Sequence, residues 1–455
     1  MPGLVLVSNR GPLSWSRAGD GSLVARRGGG GLVSGLVPLV QGTETIWIAA
    51  AMTEADREAA GQGRVEAEGL RAELLDIDPA TYRMAYDVVS NATLWFLYHG
   101  LFDLGRRPLF DRHWRTAWDA YRRVNDSFAQ ATADLAPPGA TVLVQDYHLA
   151  LVADRLAERR PDLRTVHFSH TPFPEPSGLS VLPDDVSGEL LAGMTAHGAC
   201  GFHGRRWADA FSACCAERLG LSPVTFVAPL GPDAQDLERV AAEEATQEAA
   251  RSLERQVGER RMILRVDRIE PSKNILRGLL AYDALLKGHP ELVGEVVLVA
   301  LVYPSRERLA EYQAYRAEVE TLAADLNRVW SRGDRRAVLL ETEDDFPRSV
   351  AALGRYDVLL VNPVRDGLNL VAKEGPLLNR RNGVLALSRE AGSWEELSEA
   401  ALEVNPFDVE GTACQLARAL SMAGGERAER AATLARLARR RHPRVWLDDQ
   451  LAAAV

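Results

Sequence analysis

The sequence predicts an α/β fold of two doubly wound, Rossmann-like domains, and three observations carry that expectation. Short apolar runs alternate with amphipathic helical patterns along the whole chain. The runs are rich in Val, Leu and Ile with little polar alternation, as in parallel strands covered on both faces. The 455 residues exceed what one core ordinarily organises, so two or more domains are expected.

In chain order, the first strands are expected at Leu4–Ser8, Thr45–Ala50, Val142–Gln145, Thr165–Ser169 and Val224–Ala228. A second series is expected at Met262–Val266, Val296–Leu301, Ala337–Leu340, Val358–Val361 and Val384–Leu387. Between them lie helical patterns at Trp114–Leu135, Trp207–Leu219, Leu276–Lys287 and Glu307–Arg328. Pro229-Leu230-Gly231-Pro232 punctuates the chain between the two series, ahead of a highly charged helix near Asp236–Gly258. The expected domains are therefore 1–232 and 233–425. The Arg- and Ala-rich segment 426–455 is expected as a terminal helix free to pack back on the N-terminal domain.

Composition narrows the function. Apolar residues are 46% and charged residues 25%, as in ordinary folded proteins. A net charge of −10 opposes a phosphate backbone, so nucleic acid is not expected as a partner. No apolar run is long enough for a membrane span, and Met1–Val7 lacks the basic region of a leader, reading instead as a buried strand. Cys200, Cys214, Cys215 and Cys414 show no Cys-x-x-Cys spacing and read as reduced thiols of a cytoplasmic protein. Lys occurs only at 273, 287 and 373, against 50 Arg. A lysine surviving that bias suits a place needing a compact ammonium.

Three segments suit an anion at a strand-to-helix junction. Ser8-Asn9-Arg10-Gly11-Pro12 is followed by Gly28-Gly29-Gly30-Gly31 before an apolar helical run. A glycine run at a helix start lets backbone N–H groups approach a phosphate, although it equally suits a hairpin tip. Arg265 to Asn274 places three cations in one turn, as a phosphate leaving group or a solvated turn would have them. After Val358–Val361 comes Asn362-Pro363-Val364-Arg365-Asp366-Gly367-Leu368-Asn369-Leu370-Val371-Ala372-Lys373-Glu374. There a helix N-terminus would face a diphosphate, Asp366 would accept from sugar hydroxyls or cap the helix, and Glu374 would reach ribose hydroxyls or solvent.

Together these segments resemble the retaining trehalose-6-phosphate synthases of the GT-B fold, from Val5 to about Asp408 and in the family's order. The resemblance implies that Arg10 contacts the acceptor phosphate and Gly31 the donor phosphates. Tyr86 and Ser90-Asn91-Ala92-Thr93-Leu94-Trp95 are similar to the stretch whose Tyr and Trp line the acceptor pocket. Gln145-Asp146-Tyr147-His148-Leu149 resembles the "HDYHL" signature, which assigns Asp146 to the acceptor sugar. His170 to Pro174 is similar to "HIPFP", placing His170 by the donor glucose. Arg268 to Lys273 matches the "RLDYSKG" spacing, so both cations inherit the diphosphate. Tyr303-Pro304-Ser305-Arg306 resembles the "PTSR" turn and gives Arg306 to the acceptor phosphate. Arg365 to Glu374 nearly repeats "RDGMNLVAKE", which adds Asp366, Gly367, Leu368, Asn369, Leu370, Val371 and Glu374 to the donor side.

Departures from the family pattern gather on that side. Asn274 stands where Gly is usual, Pro271 replaces an aromatic residue, and Ile48-Ala49-Ala50-Ala51 lacks a second Trp after Trp47. Glu343-Asp344-Asp345-Phe346 occupies the approach to the base. Guanine offers paired N–H donors to a carboxylate and uracil does not. GDP-glucose is therefore the favoured donor, with Asp344 or Asp345 reading the base and UDP-glucose close behind.

The resemblance implies transfer to glucose 6-phosphate with retention, through an oxocarbenium-like ion pair, with no cofactor and no metal. Asp76-Ile77-Asp78 reads as a turn or cap, His148 as packing, and Tyr312 and Tyr315 as helix packing. No Asp-x-Asp-Gly-Thr phosphatase signature is present, so the product is expected to keep its phosphate. Two other readings share the scaffold: a pseudo-glycosyltransferase joining cyclitols through nitrogen, and a silent sugar-phosphate-binding module. A homo-oligomer stays open.

Overall fold

The apolar runs become parallel strands, because only a sheet covered on both faces hides such continuous hydrophobic segments. The computed structural model describes residues 3–27, 31–61, 63 and 65–454. Gly28 to Gly30 of the glycine run lie outside the described residues. The chain divides into two units, Met1–Leu230 with Pro443–Val455, and Gly231–His442.

The first unit begins with β1 (Leu4–Ser8), β2 (Leu13–Arg17), β3 (Leu23–Arg27) and β4 (Ile46–Ala50). It continues with β5 (Val65–Ala67), β6 (Leu70–Leu75), β7 (Thr141–Gln145), β8 (Arg164–Ser169), β9 (Ala199–Phe202) and β10 (Thr225–Val227). Eight of these strands form one sheet in the order β10-β9-β8-β7-β1-β4-β6-β5, parallel except where β5 meets β6. β2 and β3 pair as a separate antiparallel hairpin. In register, Ser8 lies opposite Gln145, and Gln145 opposite Phe168. The ends of β1, β7 and β8 are thereby neighbours.

The second unit holds β11 (Arg261–Arg268), β12 (Val296–Tyr303), β13 (Val338–Glu341), β14 (Val358–Val361), β15 (Val384–Ser388) and β16 (Leu402–Val404). All are parallel, in the order β13-β12-β11-β14-β15-β16. Alternate side chains feed two core layers: Ile263, Leu298 and Ala300 face one, Met262, Leu264, Val297 and Val299 the other. The strand order reverses at β11, which has β12 on one flank and β14 on the other. That junction is where doubly wound sheets open a crevice.

Three elements differ from the sequence reading. The charged helix near Asp236–Gly258 is two, Ala234–Ala242 and Glu244–Val257, separated at Glu243, whose ψ of 146° is extended. The terminal segment is also two helices, Gly424–Ala438 and Pro443–Ala452. Pro443 restricts the residue before it to extended backbone and starts the second. Met84–Leu94 is π-helical, with the Trp95 N–H donating to the Ser90 carbonyl, a five-residue step that no propensity encodes. Among the described residues no helix is long and apolar enough to cross a membrane.

Candidate active site

In the second unit the candidate residues sit where three adjacent strands end. β11 leads through Ile269 and Glu270 into a single 3-10 turn, Pro271–Lys273. β12, paired with β11 so that Tyr303 faces Arg268, leads into Pro304-Ser305-Arg306. β14, on the other flank, leads through Asn362 to Asp366. Neighbouring strands thus deliver Arg268, Lys273, Arg306 and Asp366 to one end of one sheet.

Glu270 organises two of the cations. Its fully buried carboxylate accepts from Arg268 and from Arg306, each at 3.0 Å, and from the Ser305 hydroxyl at 2.8 Å, all through Oε1. Burial alone would raise its pKa. The fields of Arg268, Arg306 and Lys273 outweigh that and hold it at about 2. A carboxylate ionised that firmly fixes two guanidinium groups in space. The sequence reading passed over Glu270, although an acid inside a three-cation turn was a visible signal.

Lys273 pairs with Asp366. Burial pushes the ammonium towards neutrality, but the Asp366, Asp267 and Glu270 carboxylates together outweigh it, and Lys273 titrates above its ordinary value. Asn274 has φ 58°, the left-handed region that glycine enters freely and Asn tolerates best among other residues. Its amide also donates to the carbonyls of Asn362 at 3.0 Å and Pro406 at 2.7 Å. The departure from Gly therefore keeps the backbone turn and ties it to the β14 loop.

The loop after β14 is held from both sides. Asp366 N–H donates to Glu390, Gly392 N–H to Asp366 and Ser393 N–H to Leu368. A Cβ on Gly392 would lie 2.0 Å from the Gly367 carbonyl, so the two backbones require glycine there. The helix begins only at Val371, and the Asn369 side chain, just ahead of it, accepts from Ala372 N–H of the first turn at 3.1 Å. Asp366 does not cap it; its carboxylate faces Lys273 and the Asn369 amide. Glu374 is half-buried, and desolvation raises its carboxyl to about 7. Lys373, the residue before it, pairs with Glu396.

In the first unit, Asp146 follows β7 with φ 73° and ψ 167°, a region almost reserved for glycine. Strain of this kind, on the order of 1–3 kcal/mol, persists where surroundings over-determine a residue. Asp146 Oδ1 accepts from the His170 N–H at 3.2 Å, joining the ends of β7 and β8. His148 stacks between Tyr147 and Tyr86, as packing requires, and lies 4.0 Å from Asp146. Tyr86 stacks in turn on Tyr82, whose hydroxyl donates to Asn9 beside the exposed Arg10. Arg10, Tyr86 and Asp146 thus share one end of this sheet.

The remaining candidates have other surroundings. Trp95 is buried, stacked 4.2 Å from His99, and offers almost no surface. Gly31 is the first residue of the helix Gly31–Val40. Asp345 caps the helix Phe346–Leu353 through Arg348 N–H, whereas Asp344, also exposed, takes no part in that cap. Asp344 lies close enough to Tyr303 to add to the rise that burial gives that phenol. Asp78 caps the helix Pro79–Arg83. His170 has both ring nitrogens engaged, with Gln145 at 3.0 Å and His203 at 3.1 Å.

A family model described as glycosyltransferase family 20 matches residues 2–454. The trehalose-6-phosphate synthase of Mycolicibacterium vanbaalenii is 33% identical over 449 residues, covering 93% of this chain and 89% of that protein. A trehalose-6-phosphate structure from E. coli bound with UDP-2-fluoro glucose has a TM-score of 0.86 at 27% identity, covering 99% and 98% of the two chains. The UDP-forming alpha,alpha-trehalose-phosphate synthase of Burkholderia xenovorans in complex with glucose-6-phosphate gives 0.85 at 26%, covering 99% of each. The chain has the two-domain α/β, GT-B-like fold of these structures. The chain belongs to glycosyltransferase family 20 and is a glycosyltransferase of the trehalose-6-phosphate synthase type.

Proposed function

We propose that the chain transfers glucose from a nucleoside-diphosphate glucose to C1 of glucose 6-phosphate with retention, giving trehalose 6-phosphate and the nucleoside diphosphate. One observation carries this reading: Arg268, Lys273, Arg306 and Asp366 are held together by Glu270 and by each other at adjacent strand ends. In the proposed step the anomeric carbon's bond to the diphosphate oxygen breaks as the acceptor's C1 hydroxyl bonds on the same face. A departing phosphate oxygen takes the hydroxyl proton. Arg268 and Lys273 stabilise charge growing on the diphosphate, and Asp366 orients the sugar hydroxyls. Arg306 and Arg10 take the acceptor phosphate, and Asp146 the acceptor sugar.

For the base we propose guanine, read by Asp344, since Asp345 is committed to a helix cap. The UDP-2-fluoro glucose and UDP-forming neighbours support a uridine donor as the second reading. Michaelis constants for GDP-glucose and UDP-glucose, each with glucose 6-phosphate and product mass, test both. A clear preference for UDP-glucose rejects the Asp344 assignment. Absence of nucleotide release with either donor rejects the transfer itself.

A further inference from the structure

We infer that the C-terminal helix Pro443–Ala452 fixes the orientation of His170, whose tautomer is set from Leu230, through a buried hydrogen-bond relay ending at Gln450. The inference rests on the reading of His170 as the residue beside the donor sugar. The relay itself is set by atoms within one unit. At one end Leu230 N–H, which can only donate, points at His203 Nδ1 at 3.3 Å. His203 Nδ1 therefore accepts, and neutral His203 carries its proton on Nε2. That proton faces His170 Nδ1 at 3.1 Å, which must accept, so His170 carries its own proton on Nε2.

His170 Nε2–H then donates to Gln145 Oε1 at 3.0 Å, which sets the orientation of the Gln145 amide. The other end of that amide donates to Gln450 Oε1 at 2.9 Å, and Gln450 Nε2 donates to the Trp446 carbonyl at 3.4 Å. Each group has one role consistent with its neighbours, from a backbone donor at Leu230 to a backbone acceptor at Trp446. Gln145, Gln450 and Trp446 are all buried, so water offers no easy substitute. The Trp446 ring also lies 5.6 Å from the His170 ring and edge-on to Phe168 at 5.2 Å, filling the space beside the imidazole.

His170 is thus a neutral ring that gives its Nε2 proton to Gln145, and Gln450 is a positioning residue 305 positions from Gln145. Its role would be to keep the imidazole still while the sugar is held, as near-attack geometry demands.

The test is 15N NMR of histidine-labelled protein, with His170 assigned from a His170→Asn sample, alongside kinetics with GDP-glucose or UDP-glucose and glucose 6-phosphate. In the unaltered protein His170 is expected protonated on Nε2 and bare on Nδ1. The opposite tautomer overturns the relay without any variant. In Gln450→Leu, which keeps bulk, the Nε2 tautomer is expected to persist because Leu230 still sets it, while the His170 Nε2 resonance shifts as its hydrogen bond to Gln145 loosens, with kcat lowered roughly tenfold and the KM for glucose 6-phosphate little changed. An unshifted Nε2 resonance overturns the inference. A shifted resonance with unchanged kcat upholds the relay and rejects the placement of His170 at the sugar.

Discussion

Lys273 and Asp366 are one ion pair, formed by loops 93 positions apart that leave neighbouring strands β11 and β14. The ammonium assigned to the diphosphate and the carboxylate assigned to the sugar therefore act as a unit, and neither can be changed alone. Lys273→Met is expected to lower kcat by roughly a hundredfold or more, the usual loss on removing a charge aimed at a developing anion. Asp366→Asn is expected to lower kcat/KM by a similar order. The double variant should lose far less than the product of the two, because the second change removes a group already uncoupled. Steady-state kinetics of the four proteins checks this; fully multiplicative losses would show independent roles.

Glu270 links the cations proposed for the donor and the acceptor, so its removal should be felt by both substrates. In Glu270→Gln the shape is kept but Arg268 and Arg306 lose their shared negative partner. The expected result is a raised KM for both nucleotide-glucose and glucose 6-phosphate. Breaking a buried pair from one side typically costs about 3–5 kcal/mol, so urea unfolding should register the change as well. A rise confined to one substrate would mean that only one arginine depends on the carboxylate.

Much of this site was legible because it lies in contiguous motifs at strand ends. Val296–Leu301 announces a buried strand, and Arg268, Lys273, Arg306 and Asp366 come shortly after such runs. What sequence could not reveal is who faces whom. Glu270 stood within a motif, yet its role depends on Arg306 arriving from β12. The Gln145–Gln450 contact joins residues 305 positions apart and has no local pattern. Asn274 looked like a departure in sequence and is conservative in space, because its φ of 58° keeps the turn. The two acids considered for the base, Asp344 and Asp345, divide for a local reason, since only the second lies where a helix needs a cap.

Glu374 should give donor binding a pH dependence near neutrality. Desolvation raises its carboxyl to about 7, and only the ionised form accepts hydrogen bonds with both oxygens from ribose hydroxyls. As pH falls through about 7 the group protonates, so the donor KM is expected to rise on the acid side. Glu374→Gln should raise the KM at pH 8 and flatten its profile between pH 6 and pH 8. The stability sign is opposite. The folded value lies above the ordinary 4.5, so ionising Glu374 costs stability as pH rises from about 4.5 to 7. The Gln variant should accordingly gain in melting temperature relative to the parent at pH 8.

His167 and His197 set a limit on acid stability. Their rings lie 5.3 Å apart, buried under the β8 side of the first sheet, and among the described residues neither offers a ring nitrogen to a hydrogen-bond partner. Burial drives the His167 value down to about 3 and that of His197 down as well, so both stay neutral while the protein is folded. An unfolded histidine takes its proton near 6.5. The unfolded chain therefore binds more protons below that point, and stability falls as pH drops from about 6.5 towards 3. For His167 alone the loss is about 2 kcal/mol at pH 5. Urea titrations at pH 7.5 and pH 5 should show His167→Leu losing less stability on acidification than the parent by about that amount. An equal acid loss in the two proteins would mean that His167 takes up its proton without unfolding, through an opening that lets water reach the ring.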